Sequence, residues 1–299
     1  MKRSIPSGTD SRVILALVIL GMIWGFSFLF IKVIVREINP WLLAAGRLWM
    51  AALALLPVVL FTRRNLLFGL SRVPDLLVAS AFNFAVPYFL IPWGEQYITS
   101  GQASVLNATM PFFTILLGWW WFRHQPAAVV ALGVIVGFGG IVLLAGGTPA
   151  VLRASQLPGQ GAVLLAAFSY AASAHFIHRR LLDMDLLSLT FLTLIGGAVI
   201  STPPAILSGM EGLGRLGIYG WAAWLGLGVL CTSVAYLIYL FILSRAGATT
   251  ASLVTYLFPA FALFWGWLLL GEALDPATLG GTLLIFIGVF LAGRTPAPS

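Results

Sequence analysis

The segments Val13–Ile31 and Phe112–Phe122 run apolar with no polar face. A helix on a soluble protein keeps one face for water, so segments of this kind have no place at a protein surface. A transmembrane barrel is excluded as well, because its strands alternate polar and apolar residues. What remains is the membrane-spanning helix, which satisfies its own backbone hydrogen bonds where the solvent offers none. Composition extends this to the whole chain. Of 299 residues 60% are hydrophobic and 8% charged, against about 25% charged in a typical soluble protein. At about 20 apolar residues per crossing there is room for nine or ten helices.

Turn and charge signals between the apolar stretches place helices at 12–35, 41–61, 76–94, 100–122, 127–146, 159–181, 186–208, 219–241, 248–270 and 276–293. That makes an all-α polytopic membrane protein of ten transmembrane helices. The first run is longer than a signal-peptide core and is followed by no small-residue cleavage site, so it is expected to remain as helix one. Numbering the loops alternately puts Lys2, Arg3, Arg12, Arg63, Arg64, Arg72, Arg123, Arg179, Arg180, Arg245 and Arg294 on one side. Lys32, Arg36, Arg153 and Arg215 fall on the other, with Arg47 inside helix two. This bias predicts cytoplasmic termini in a cell inner membrane. The net charge of +7 is spread too thinly to make a nucleic-acid surface. Cys231, the single cysteine, falls within a span and reads as a packing residue.

The chain repeats itself. At an offset of 146, Ser27 meets Ser173, Ile31 meets Ile177 and Pro57 meets Pro203. At an offset of 148, Tyr88 meets Tyr236, Pro111 meets Pro259, Trp119 meets Trp267, Gly133 meets Gly281 and Gly140 meets Gly288. Two five-helix units are implied, 1–147 and 159–294, with an external linker at 148–158 and a cytoplasmic tail at 295–299. Five is odd, so the units lie in opposite senses, an arrangement that lets a central site open to alternate sides.

Gly94–Phe122, GEQYITSGQASVLNATMPFFTILLGWWWF, and Ala246–Glu272, AGATTASLVTYLFPAFALFWGWLLLGE, carry the strongest local signal. With Trp24-Gly25, Ser27 and Lys32 in helix one, they resemble the two repeats of the EamA family in the drug/metabolite transporter superfamily. The resemblance covers almost the whole chain and implies a ten-helix carrier with a central cavity, in a family rich in bacterial exporters of amino acids and other metabolites. One departure is visible. The Gly-Glu that follows the ninth helix, Gly271-Glu272, has Arg123-His124 as its first-half equivalent.

Polar groups inside spans are costly, so they are the first candidates for a substrate path. Asn83, Asn107, Ser173 and His175 qualify, as do the hydroxyl-bearing rings of Tyr88, Tyr170, Tyr236 and Tyr239. For each the alternative is an interhelical hydrogen bond, and for His175 that is the favoured role. Trp24 and Phe28 share a face of helix one and suggest an aromatic wall. Pro87, Pro111 and Pro259 should kink their helices, either as hinges or as fixed bends. Lys32 and Arg36 are expected to snorkel outward, and Arg47 either to reach the outer interface or to answer a polar partner. Glu37 and Glu95 should lie at the interface in preference to carrying protons. His175 and His178 share a helix face but find no further metal ligands, so no metal site is expected. The glycines of helices five and ten form small-residue stripes, for contact within the monomer or between two copies.

No phosphate-binding glycine loop and no catalytic constellation is present, so neither an ATP-driven pump, an enzyme nor a cofactor is expected. The reading is a secondary transporter in the lipid bilayer, a monomer or homodimer, exporting small organic metabolites by alternating access. Neutral or bulky aromatic amino acids suit the nearly uncharged, aromatic lining best. The alternative is a broad-specificity extruder of drugs or lipophilic cations, which calls for a mid-span acid the sequence lacks.

Overall fold

The computed structural model describes residues 10–63, 66, 71–122, 127–144 and 155–292. Lys2, Arg3, Arg64, Arg123, His124, Arg153, Arg294, the tail at 295–299 and residues 148–154 of the linker lie outside the described residues.

Ten helical units follow in order: α1 (Ser11–Ile34), α2 (Pro40–Phe61), α3 (Val73–Glu95), α4 (Ser100–Asn107 continuing as Met110–Phe122) and α5 (Ala128–Leu144), then α6 (Leu157–Arg180), α7 (Leu186–Leu207), α8 (Ile218–Ala248), α9 (Thr250–Leu270) and α10 (Pro276–Ala292). Eight of these units are at least 18 residues long and apolar enough to cross a bilayer; α5 and α10, at 17 residues each, are shorter but equally apolar. Starts are marked locally. Asn39 and Asp185, equivalent positions in the two halves, accept hydrogen bonds from Trp41 N and Ser188 N at the starts of α2 and α7. Thr99 and Gln102 form a reciprocal capping box on α4.

The units pair as a two-fold axis requires. α1 lies along α8 and α9, while its counterpart α6 lies along α3 and α4; α2 packs on α7, and α5 on α10. The α5–α10 seam shows the symmetry at the residue level. A Cβ on Gly133 would lie 2.7 Å from the Gly288 carbonyl oxygen, and one on Gly140 would lie 2.7 Å from that of Gly281. Each contact is the other's image, since Gly281 and Gly288 are the second-half counterparts of Gly133 and Gly140. The helices run antiparallel with their backbones in contact, and the small-residue stripe is spent within the chain.

Two features depart from plain helices. α3 and α8 each contain a π-helical segment, Ala81–Ala85 and Gly226–Val234, at equivalent positions of the two halves. α4 breaks at Ala108–Thr109, just ahead of Pro111, so the single helix expected over 100–122 is two. Pro259 is accommodated inside α9, and Pro87 lies two residues beyond the π segment of α3, in the first turn of regular helix after it.

The two ends of the bundle differ. At the near face, where α1 begins, Arg72 pairs with Asp183 at 2.6 Å and Arg180 with Asp75 at 3.3 Å, joining α3 to the α6–α7 connection. At the far face the connections interlock. Gly94 and Gly159 bring α3 and α6 into backbone contact, and Gly212 (φ 93°) lies against the Glu37 carbonyl.

Candidate functional site in the centre of the bundle

Arg47 sits on α2 only 6% exposed, and its partners come from the π segment of α8 and from the turn of α3 that follows the other π segment. Its Nε donates to Thr232 Oγ1 at 3.0 Å, and Thr232 in turn donates to the Leu227 carbonyl, five residues back in the widened turn of α8. On the α3 side its guanidinium carbon lies 4.2 Å from the centre of the Tyr88 ring, a cation–π contact. Tyr88 follows the other π segment. A π turn adds a residue to the helix and re-aims the side chains beyond it, which is why such turns recur at functional sites. Among the described residues no carboxylate pairs with Arg47.

Around this cation the rings form one connected set. Trp24 meets Tyr239 at 5.8 Å, Tyr236 at 6.4 Å and Phe258 at 6.4 Å; Phe28 stacks on Phe258 at 5.8 Å. Phe84, within the π segment of α3, joins Tyr88 at 5.5 Å to Tyr236 at 5.7 Å. Tyr170, half-buried, packs against both of the two larger apolar clusters of the core. The repeat relates Trp24 to Tyr170 and Tyr88 to Tyr236, so these four rings follow the two-fold, whereas Phe28, Phe84, Tyr239 and Phe258 have Ala174, Thr232, Ile91 and Met110 as counterparts. Arg47 departs from the symmetry as well, for its counterpart is Thr193, which bonds back to its own helix at the Leu189 carbonyl.

Other expected site residues stand apart from the rings. Ser173 is fully buried and donates to the Ala79 carbonyl at 3.4 Å, and His175 Nε2 bonds the Thr114 carbonyl at 2.9 Å; these fasten α6 to α3 and α4. Asn83 lies half-buried in the π segment of α3. Asn107 ends the first piece of α4, and its buried Oδ1 has no hydrogen-bond partner among the described residues.

Of its two expected roles Arg47 takes the second, answering Thr232 and not the interface. Two other charged residues depart from expectation. Lys32 does not snorkel outward: its ammonium donates to the carbonyls of Glu95 and Ile98, the latter at 2.7 Å, because the first ends α3, the second lies in the turn to α4, and neither has a helical partner of its own. Glu95, expected at the interface, is 0% exposed. Glu272 also finds its place here. Its carboxylate accepts from Ser100 N at 2.9 Å, Ser100 Oγ at 2.8 Å and Gly101 N at 3.2 Å, capping α4 from the α9–α10 connection.

A family model described as the EamA-like transporter family matches this chain twice, over residues 11–146 and 157–294. The chain belongs to the EamA-like transporter family. Each match covers one five-helix half, and the family's ten-helix membrane fold is the one described above. Relatives span nearly the full length. "Uncharacterized transporter YoaV" of Bacillus subtilis (strain 168) is 26% identical over 282 residues, covering 94% of this chain and 96% of its own. An "Uncharacterized transporter" of Archaeoglobus fulgidus is 27% identical over 283 residues, 94% and 97% of the two chains. The "Probable terminal-alkyne amino-acid exporter" of Streptantibioticus cattleyicolor is 26% identical over 291 residues, 95% and 94%. A protein of known crystal structure shares the fold at a TM-score of 0.66 with 16% identity, covering 95% of this chain and 97% of its own. This family member is accordingly a membrane transporter of the drug/metabolite type.

Proposed function

We propose that this transporter exports amino acids, neutral ones with bulky or aromatic side chains above all, across the inner membrane through the ring-lined centre of the bundle. Arg47 carries the reading. A guanidinium without a paired carboxylate, held in a low-dielectric interior, is complementary to the α-carboxylate of an amino acid. Rings from α1, α3, α6, α8 and α9 offer apolar and cation–π surface to the side chain and ammonium group. The named exporter of amino acids among the relatives agrees with this chemistry. The near face is cytoplasmic in this reading, as the distribution of Lys and Arg requires.

A lipophilic cation fits less well, since it would meet a fixed positive charge at the centre. Glu95, the nearest acid along α3, lies seven residues beyond Tyr88, about 10 Å along the helix. Counterflow in proteoliposomes tests the assignment with labelled phenylalanine, a cationic dye and a sugar phosphate. Phenylalanine should exchange and the dye should not; dye movement without any amino-acid signal would overturn the reading.

A further inference from the structure

The far-face latch contains a group that the central site does not use. Glu95 ends α3 fully buried, and among the described residues neither carboxylate oxygen has a hydrogen-bond partner. Its neighbour is satisfied. The ammonium of Lys32 donates to the Glu95 backbone carbonyl and to that of Ile98, so it holds the chain at this position while the carboxyl goes without a donor. Lys32 on α1, Arg47 on α2 and Glu272 on the α9–α10 connection are the charged groups whose fields reach Glu95. The spanning segments of α4 and α7 contribute no ionisable groups, and α6 contributes Tyr170 near mid-span and His175, His178, Arg179 and Arg180 in its last turns, at the near face. The contrast with Glu272 is direct: two carboxyls border one latch, one with three donors and one with none.

An ionised carboxylate costs several kcal/mol to bury without donors, whereas a neutral carboxyl at the same place costs far less. We propose that Glu95 is a proton-binding site that governs the far gate. With the gate sealed it carries a proton; when α1 withdraws Lys32 from the α3–α4 turn, water reaches the carboxyl and the proton leaves to the medium on that side. Resealing takes a proton back from the same side, forming the acid from carboxylate and proton. The cycle is balanced without net proton transfer across the membrane. Its consequence is gating by pH, with acid favouring the sealed far face and base favouring its opening.

This inference does not depend on the identity of the substrate, and its test uses none. Spin labels at Arg36→Cys and Gln96→Cys, both exposed and flanking the latch, report the α1–α3 separation in a Cys231→Ala background. In the membrane-reconstituted protein the short distance should dominate at low pH and a longer one should grow as pH rises. Glu95→Gln, a permanently neutral mimic, should stay short throughout, and Glu95→Asp should keep the response. Infrared spectra of the native protein with the gate sealed should show a protonated-carboxyl band, shifted by deuterium and absent in Glu95→Gln. A distance distribution indifferent to pH, or an unchanged pH response in Glu95→Gln, would overturn the proposal.

Discussion

Arg47 shows how one residue can define a site that the rest of the lining only shapes. Its charge is oriented by Thr232 and its face is covered by Tyr88, so position and direction are fixed by two helices at once. Arg47→Ala should abolish phenylalanine counterflow while leaving membrane insertion intact. Arg47→Lys keeps the charge without the planar fork, and a loss of about tenfold or more in apparent affinity is expected, equivalent to at least about 1.4 kcal/mol. Equal exchange by wild type and Arg47→Ala would remove the substrate carboxylate from this position. Ser173→Ala, by contrast, deletes one weak interhelical bond worth about 0.6 kcal/mol, and transport should persist. Much of this was legible from residue type and depth: Trp24, Phe28, Tyr88, Tyr170, Tyr236 and Tyr239 stood out as aromatic groups within spans. Phe84 and Phe258 did not, because one phenylalanine in an apolar run looks like any other until a partner ring is seen. Thr232 was hidden for a related reason. A hydroxyl in a helix normally bonds back to its own turn, and only the position of Arg47 gives it a second role.

Helices carry the next level of meaning, and here the sequence spoke unevenly. Ten crossings, the capped starts and the paired glycine stripes all follow from local pattern. The π segments of α3 and α8 do not, since an extra residue per turn leaves no mark in hydrophobicity. Their equivalence in the two halves is the available clue, and it emerges only when the repeat is laid on the fold. Glu272 is another case in which chemistry seen in one half explains a difference in the other. The α4 start has an acidic cap; the α9 start, at the opposite face, has His124 at the equivalent position in the sequence. Glu272→Gln should weaken three hydrogen bonds to a helix N-terminus and lower stability by about 1–2 kcal/mol. Thermal unfolding in detergent should show it, and no change in the midpoint would mean that the cap is supplied elsewhere. At the α5–α10 seam, Gly140→Leu has no space, because a Cβ alone would press on the Gly281 carbonyl and the Ile285 amide. Loss of the folded protein from membranes is the expected outcome, whereas Gly139→Leu, where a Cβ meets nothing within 4 Å, should accumulate normally.

At the scale of the whole molecule, the two-fold relation makes the unseen state calculable from the one in hand. The far latch joins Lys32 of α1 to the carbonyls of Glu95 and Ile98 on the α3–α4 turn. Exchanging the halves carries Lys32 to His178 of α6, Glu95 to Leu243 and Ile98 to Ala246 at the end of α8, just ahead of the non-helical Gly247. In the present state His178 is exposed at the near face, with the far latch closed. When the halves trade conformations, His178 should approach the carbonyls of Leu243 and Ala246 and close the near face, a rocking of α1 and α6 against their partners that leaves the α5–α10 seam in place. Cysteines at His178→Cys and Ala246→Cys, in the Cys231→Ala background, should therefore form a disulfide only in the far-open state. Cross-linking should stop phenylalanine counterflow, and reduction should restore it. The complementary pair, Lys32→Cys with Ile98→Cys, should trap the state described here and stop exchange in the same reversible way. If the first pair never cross-links while the second does, the halves do not exchange roles, and the inverted repeat is a record of gene duplication with no part in the transport cycle.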